Sequence, residues 1–136
     1  MEIIRNRLQG LRALMPILKS HQSLSREEFV SNFEKQLSAE HALQLAIQHL
    51  LAISSHLLAS RGVRELTDYR DVLIKMGKEA ILPQDFAERI SKMAGFRNLL
   101  VHDYAEVDPE LVYEFLQYRV VDFEEFMKHI AAHLKL

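Results

Sequence analysis

Ile4, Leu8, Leu11, Met15 and Leu18 recur every three or four residues, the spacing that gathers apolar side chains onto one face of a helix. Pro16 interrupts the run. Lacking a backbone N–H, it predicts a kink or an end to the regular helix. Ser25-Arg26-Glu27-Glu28 has the form of a capping box, with Ser25 as the cap and Glu28 reaching back to it. Phe29, Phe33 and Leu37 then form one apolar stripe, and Leu43, Ala46, Leu50, Ile53 and Leu57 another. Ser38 can cap a fresh start between them, so one bent helix and a short helix followed by a long one both fit. Gly62 suits a C-terminal stop.

Asp68 can cap a short third helix through Tyr69, Val72, Leu73 and Met76, closing near Gly77. Pro83, preceded by Leu82, fits the first turn of a fourth, whose apolar positions are Phe86, Ile90, Met93 and Leu100. Asp108-Pro109 repeats the cap-then-proline signal, and Val112, Phe115, Arg119, Phe123, Phe126 and Ile130 outline a fifth. No Asn-Gly or Asp-Gly turn and no sustained alternation argues for strands. The pattern predicts an all-α protein, an up-and-down bundle of about five helices.

Composition narrows this little. The 136 residues suffice for one domain with a core, so residues 1–136 are read as a single domain. Only 4 Gly and 3 Pro leave little material for turns, which favours long helices. A net charge of -2 gives no bulk attraction for nucleic acid, so RNA binding would need a local basic groove. The absence of Cys excludes disulfides and thiolate chemistry. Met1 to Arg12 has no apolar signal core, and Gln44, Gln48, His49 and two serines break the stretch from Ala42 to Ser60. No membrane span and a cytoplasmic location are expected.

Seven histidines raise the question of metal. His129 and His133 share a helix face, but no carboxylate lies between them in the zinc-peptidase pattern. Histidines in a last helical turn are favourable at the negative end of the dipole without any ligand. His41, His49 and His56 form a row about two turns apart, which usually marks a half-polar face. No metal site is expected.

The stretch from Phe96 to Tyr104 differs, because it brings Arg, Asn, His, Asp and Tyr into an otherwise apolar helix. Arg97 offers a fork of donors to a phosphate. His102 can exchange protons near neutral pH. Asn98 can orient a hydroxyl or phosphate oxygen, and Tyr104 supplies a phenol. At about 100° per residue, Arg97 and Tyr104 lie within about 20° of each other, whereas Arg97 and His102 are separated by about 140°. Joining those two at one phosphate needs a distorted helix or a second copy of the chain. Arg-x4-His recurs in unrelated proteins, and on the residues alone Arg97 can equally pair with a carboxylate and His102 be a satisfied, half-buried histidine.

Phe96-Arg97-Asn98-Leu99-Leu100-Val101-His102-Asp103-Tyr104 resembles the Arg-x4-His-x-Tyr signature of HepT-like HEPN proteins. The long second helix, Leu82-Pro83, Met93-Ala94-Gly95 and Val107-Asp108-Pro109 are also similar, extending the resemblance from about Ser25 onward. It implies a homodimeric bundle in which the motifs of both chains line one cleft. It further implies the toxin of a toxin–antitoxin pair, cleaving RNA without a metal. Arg97 would hold the scissile phosphate, His102 would transfer the proton of the 2′-hydroxyl, and Asn98 would be the polar residue following the arginine. The implied partner is a minimal nucleotidyltransferase antitoxin that uses ATP to place AMP on Tyr104, the toxin itself needing no cofactor. One departure is visible: Ala52-Ile53-Ser54-Ser55 holds no carboxylate, where family members often carry one ahead of the position of His56. The competing reading is a non-catalytic module that docks on a nucleotidyltransferase and helps bind its nucleotide substrate, Arg97 contacting phosphates.

Overall fold

The first apolar stripe forms α1 (Glu2–Gln22), which buries Ile4, Leu8, Leu11, Leu14, Met15 and Leu18. In the computed structural model, residues 1–102 and 107–136 are described, with the side chains of residues 101 and 102 left aside. Pro16 does not end α1. It and Arg12, whose carbonyl loses its partner, are both exposed, so water can satisfy that carbonyl while Met15 and Leu18 stay packed.

Of the two arrangements the sequence allowed next, the short-plus-long one is present, as α2 (Arg26–Val30) and α3 (Phe33–Ser60). The capping box is formed in full: Ser25 Oγ accepts from the Glu28 N–H, and Glu28 Oε1 accepts from the Ser25 N–H. The restart is at Asn32, whose Oδ1 accepts from the Lys35 N–H, and not at Ser38. Gln36 Nε2 donates to the carbonyls of Phe29 and Val30, satisfying the end of α2. Gly62 adopts φ 78°, the left-handed conformation that lets the chain leave α3.

Asp68 caps α4 (Tyr69–Lys78) through the Asp71 N–H, and Asp108 caps α7 (Pro109–Leu134) through the Glu110 N–H. Between them the expected fourth helix is divided into α5 (Gln84–Ser91) and α6 (Met93–His102). The Lys92 N–H turns to the Ile90 carbonyl, which interrupts the ladder without a proline or glycine at that point. The five expected helices thus become seven among the described residues, through breaks at Ser31-Asn32 and at Lys92.

α3 is the centre of the bundle, touching α1, α2, α4, α6 and α7. By length and composition it could cross a membrane, but 56% of its most apolar stretch is already buried within the bundle. That burial accounts for its apolar character without lipid. Phe123 and Phe126 of α7 close the core against it, both fully buried.

Ser38, unused as a cap, has its Oγ 3.0 Å from Nε2 of the buried His21. Burial, and then the charge of Lys35, lower the His21 pKa from its usual 6.5. Burial and the neighbouring Arg7 lower that of His49 in the same way. The unfolded chain therefore takes up protons near pH 6.5 while the native state still refuses them. Stability is fully present above that pH and falls as pH drops below it, until the lowered native values are reached. Glu40 acts in the opposite sense, because burial raises its carboxyl. We expect a lower Tm at about pH 5.5 than at about pH 7.5, and a flatter profile in a His21→Gln, His49→Gln double variant. A double variant that declines as steeply as the wild type would disprove the assignment.

Candidate active site

The motif stretch lies on α6, which is oriented by its aromatic residue. Phe96 stacks on Phe115 of α7, with ring centroids 4.2 Å apart and planes 15° from parallel. One position further round, Arg97 turns away from α7 and places its guanidinium 4.4 Å above the ring of Tyr69 on α4. Its Nε is buried and has no hydrogen-bond partner among the described residues. A buried donor left in this state is costly, and it is commonly satisfied by water or a bound ligand.

Arg97 forms part of a cleft of about 290 Å³ between α1, α3, α4 and α6. Arg7 contributes from α1, Gln48, Ala52 and Ser55 from α3, and Tyr69 from α4. Two arginines and no carboxylate stand among the described lining residues. Ala52 and Ser55, from the stretch without a carboxylate, supply part of this wall. Among the described lining residues Arg97 thus meets no countercharge, and an anion entering the cleft would supply one.

Arg7 is itself steadied. Its Nη1 lies 3.4 Å from Nδ1 of His49, a ring whose lowered pKa keeps it neutral and able to accept. Gly10 makes this approach of α1 to α3 feasible: a Cβ there would sit 2.7 Å from His49 Cε1 and Nε2.

Asn98 is exposed on α6 and does not line this cleft. His102 is the last residue of α6, and its side chain is outside the description; Tyr104 lies outside the described residues. Because α6 is α-helical from Met93 to His102, position 102 falls about 140° round from Arg97. Arg97 and position 102 thus belong to different sides of one regular helix.

A second groove on the α6–α7 side is lined by the apolar Phe96, Leu99 and Phe115 and by the basic Arg89, Lys92 and Arg119. Arg89 and Arg119 are tied to the buried Asp122, at 3.2 Å and 3.5 Å. Beside it, Leu111, Tyr118 and Val121 repeat along one face of α7 at 47%, 70% and 58% exposure, an apolar stripe open to solvent.

Among the remaining histidines, His129 has local partners: its Nε2 lies 3.3 Å from Glu125 Oε2, and its ring is 5.0 Å from that of Phe86. Neither Arg7 nor Tyr69 was singled out by sequence reasoning. Tyr69 reads as one more apolar position of a helix, and Arg7 lies ninety positions before Arg97 with no motif around it.

The architecture is thus that of an all-α bundle with an arginine-lined cleft on its motif helix. Residues 4–130 match the family described as Ribonuclease HepT-like, and the chain belongs to this HepT-like ribonuclease family. It is 30% identical over 133 residues to the tRNA nuclease HepT of Aphanizomenon flos-aquae, covering 97% of this chain and 90% of that protein. It is 28% identical over 105 residues to the mRNA nuclease HepT of Shewanella oneidensis, covering 77% and 79%. Its fold is similar to that of the tri-AMPylated Shewanella oneidensis HEPN toxin solved in complex with MNT antitoxin. The TM-score is 0.86 at 24% identity, over 97% of this chain and 98% of that one.

Proposed function

We propose that this protein is the toxin of a toxin–antitoxin pair and that, as a homodimer, it cleaves RNA without a metal or cofactor of its own. Membership of a ribonuclease family supports the activity, and likeness to a toxin bound to its antitoxin supports the role. The observation that carries the reading is Arg97: a guanidinium whose buried Nε has no partner among the described residues, facing a cleft whose described lining holds no carboxylate.

In this reading Arg97 holds the scissile phosphate and Asn98 orients a phosphate or ribose oxygen. One His102 takes the proton of the 2′-hydroxyl as its oxygen attacks phosphorus. The bond from phosphorus to the 5′-oxygen breaks, and the second His102, in its protonated form, gives that oxygen a proton. The products are a 2′,3′-cyclic phosphate and a 5′-hydroxyl, and the arginines stabilise the charge that develops on the phosphorane. Two copies supply both histidines. The exposed stripe of Leu111, Tyr118 and Val121, beside the motif helix, offers a surface on which they can meet.

Tyr104 is the proposed acceptor of AMP from a minimal nucleotidyltransferase antitoxin, which uses ATP. Modification adds an anionic, bulky group on the motif segment and hinders a phosphate strand by charge and by size. Co-expression with a cognate minimal nucleotidyltransferase should add whole AMP units to the intact mass of the chain and stop RNA cleavage. Tyr104→Phe should show no added mass and remain toxic in the presence of the partner. Unchanged mass in the wild type, or AMP still present on the Tyr104→Phe chain, would rule this acceptor out. A non-catalytic nucleotide-binding module would instead leave RNA intact whether or not the chain is modified.

A further inference from the structure

The cleft beside Arg97 contains more than the motif requires. Arg7 reaches it from α1, and Gln48 and Ser55 bring an amide and a hydroxyl from α3. Tyr69 underlies the Arg97 guanidinium at 4.4 Å. These groups come from separate helices, so their meeting is a product of the tertiary fold and not of one helix's polar face. Two guanidinium groups in one cleft repel each other, and the described lining supplies no acid to offset this.

We propose that this cleft is a phosphate-binding subsite for single-stranded RNA, with Arg7 as its second phosphate-binding residue and Tyr69 as the residue that positions Arg97. The inference rests on the nuclease reading above and deepens it. At about 290 Å³ the cleft is at the lower end of ligand-sized pockets, which suits one nucleotide unit and not a folded RNA element. Arg7 and Arg97 each present a planar fork to phosphate oxygens, while Gln48 and Ser55 add neutral donors. Tyr69 attracts the Arg97 guanidinium through its ring face, which an aromatic ring without the hydroxyl would also do. His49 holds Arg7 from behind as a neutral acceptor.

The test measures binding of a labelled single-stranded RNA oligonucleotide to the full chain across a series of salt concentrations, in a His102→Ala background to prevent cleavage. Arg7→Ala should weaken binding about tenfold and reduce the slope of log K against log salt by about 0.7, the loss of one phosphate contact. Arg7→Lys should restore the slope but only part of the affinity. Tyr69→Ala should weaken binding with the slope unchanged, and Tyr69→Phe should bind as the parent does. Arg26→Ala, at a surface ion pair with Glu110, should have no effect.

AMP, titrated as a competitor, distinguishes the sources of the phosphate. Weak competition that Arg7→Ala weakens further supports the RNA-strand subsite, whereas AMP binding tighter than the RNA itself would overturn it in favour of a free-nucleotide site. Affinity and slope unchanged in Arg7→Ala would also overturn the subsite, and wild-type cleavage would then leave the nuclease reading standing. Arg7-dependent RNA binding by a wild-type chain that cuts nothing would keep the subsite and end the nuclease reading.

Discussion

Arg97→Ala is expected to lower the rate of RNA cleavage about 10³-fold, and His102→Ala to lower it by a similar factor, each without loss of the folded state. The Nε of Arg97 is buried and has no partner among the described residues, so its removal breaks no hydrogen bond made by that atom there. Its guanidinium gains about 0.5–1 kcal/mol over the Tyr69 ring, a small part of a total stability of about 5–15 kcal/mol, so the bundle should stay folded without it. A large loss of rate then reports on the phosphate and not on folding. Arg97→Lys keeps the charge and loses the fork, so an intermediate rate is expected. Cleavage within tenfold of wild type in Arg97→Ala, measured on a gel with thermal unfolding in parallel, would remove Arg97 from the reaction.

Phe29→Ala is expected to be the most damaging of the simple core truncations, at about 3–5 kcal/mol. Phe29 is the only buried residue of the five-residue α2 and is fully inaccessible. Its ring meets Tyr113 of α7 at 5.7 Å and His21 of α1 at 6.4 Å, edge-on to the latter. One side chain thus fastens α2 to two other helices, and a helix of that length has little stability of its own. Set against a total of about 5–15 kcal/mol, the loss is a large fraction. In a chain of this size it corresponds to a fall in Tm of roughly 10–20 °C. Urea unfolding checks it directly, and a loss below about 1 kcal/mol would show that α2 is not anchored in this way.

The bundle was legible because its helix ends are written in side chains. Ser25, Asp68 and Asp108 each cap the helix they announce, and Pro109 stands in the first turn of α7. The break at Lys92 was not, because it is made by one N–H turning to Ile90 with no proline or glycine to mark it. Asn32, a residue well suited to capping, restarts the chain, and Ser38 falls within α3 against the buried His21.

The candidate site divides in the same manner. Arg97 stood out as a strong base in an apolar helix, and helical geometry alone separated it from position 102. Its surroundings were hidden, since Arg7, Ser55 and Tyr69 gather only after α1, α3 and α4 dock. Tyr69 illustrates the difficulty. Counted as an apolar position of α4, it is 40% exposed and serves as the floor for a cation.

The most direct measurement uses the purified, unmodified wild-type chain with a defined single-stranded RNA in excess EDTA, and identifies the ends of any fragments. The account predicts discrete products carrying 2′,3′-cyclic phosphate and 5′-hydroxyl ends, absent from the Arg97→Ala and His102→Ala reactions. RNA that stays intact with the wild-type chain, or is cut only when a divalent metal is restored, would contradict it.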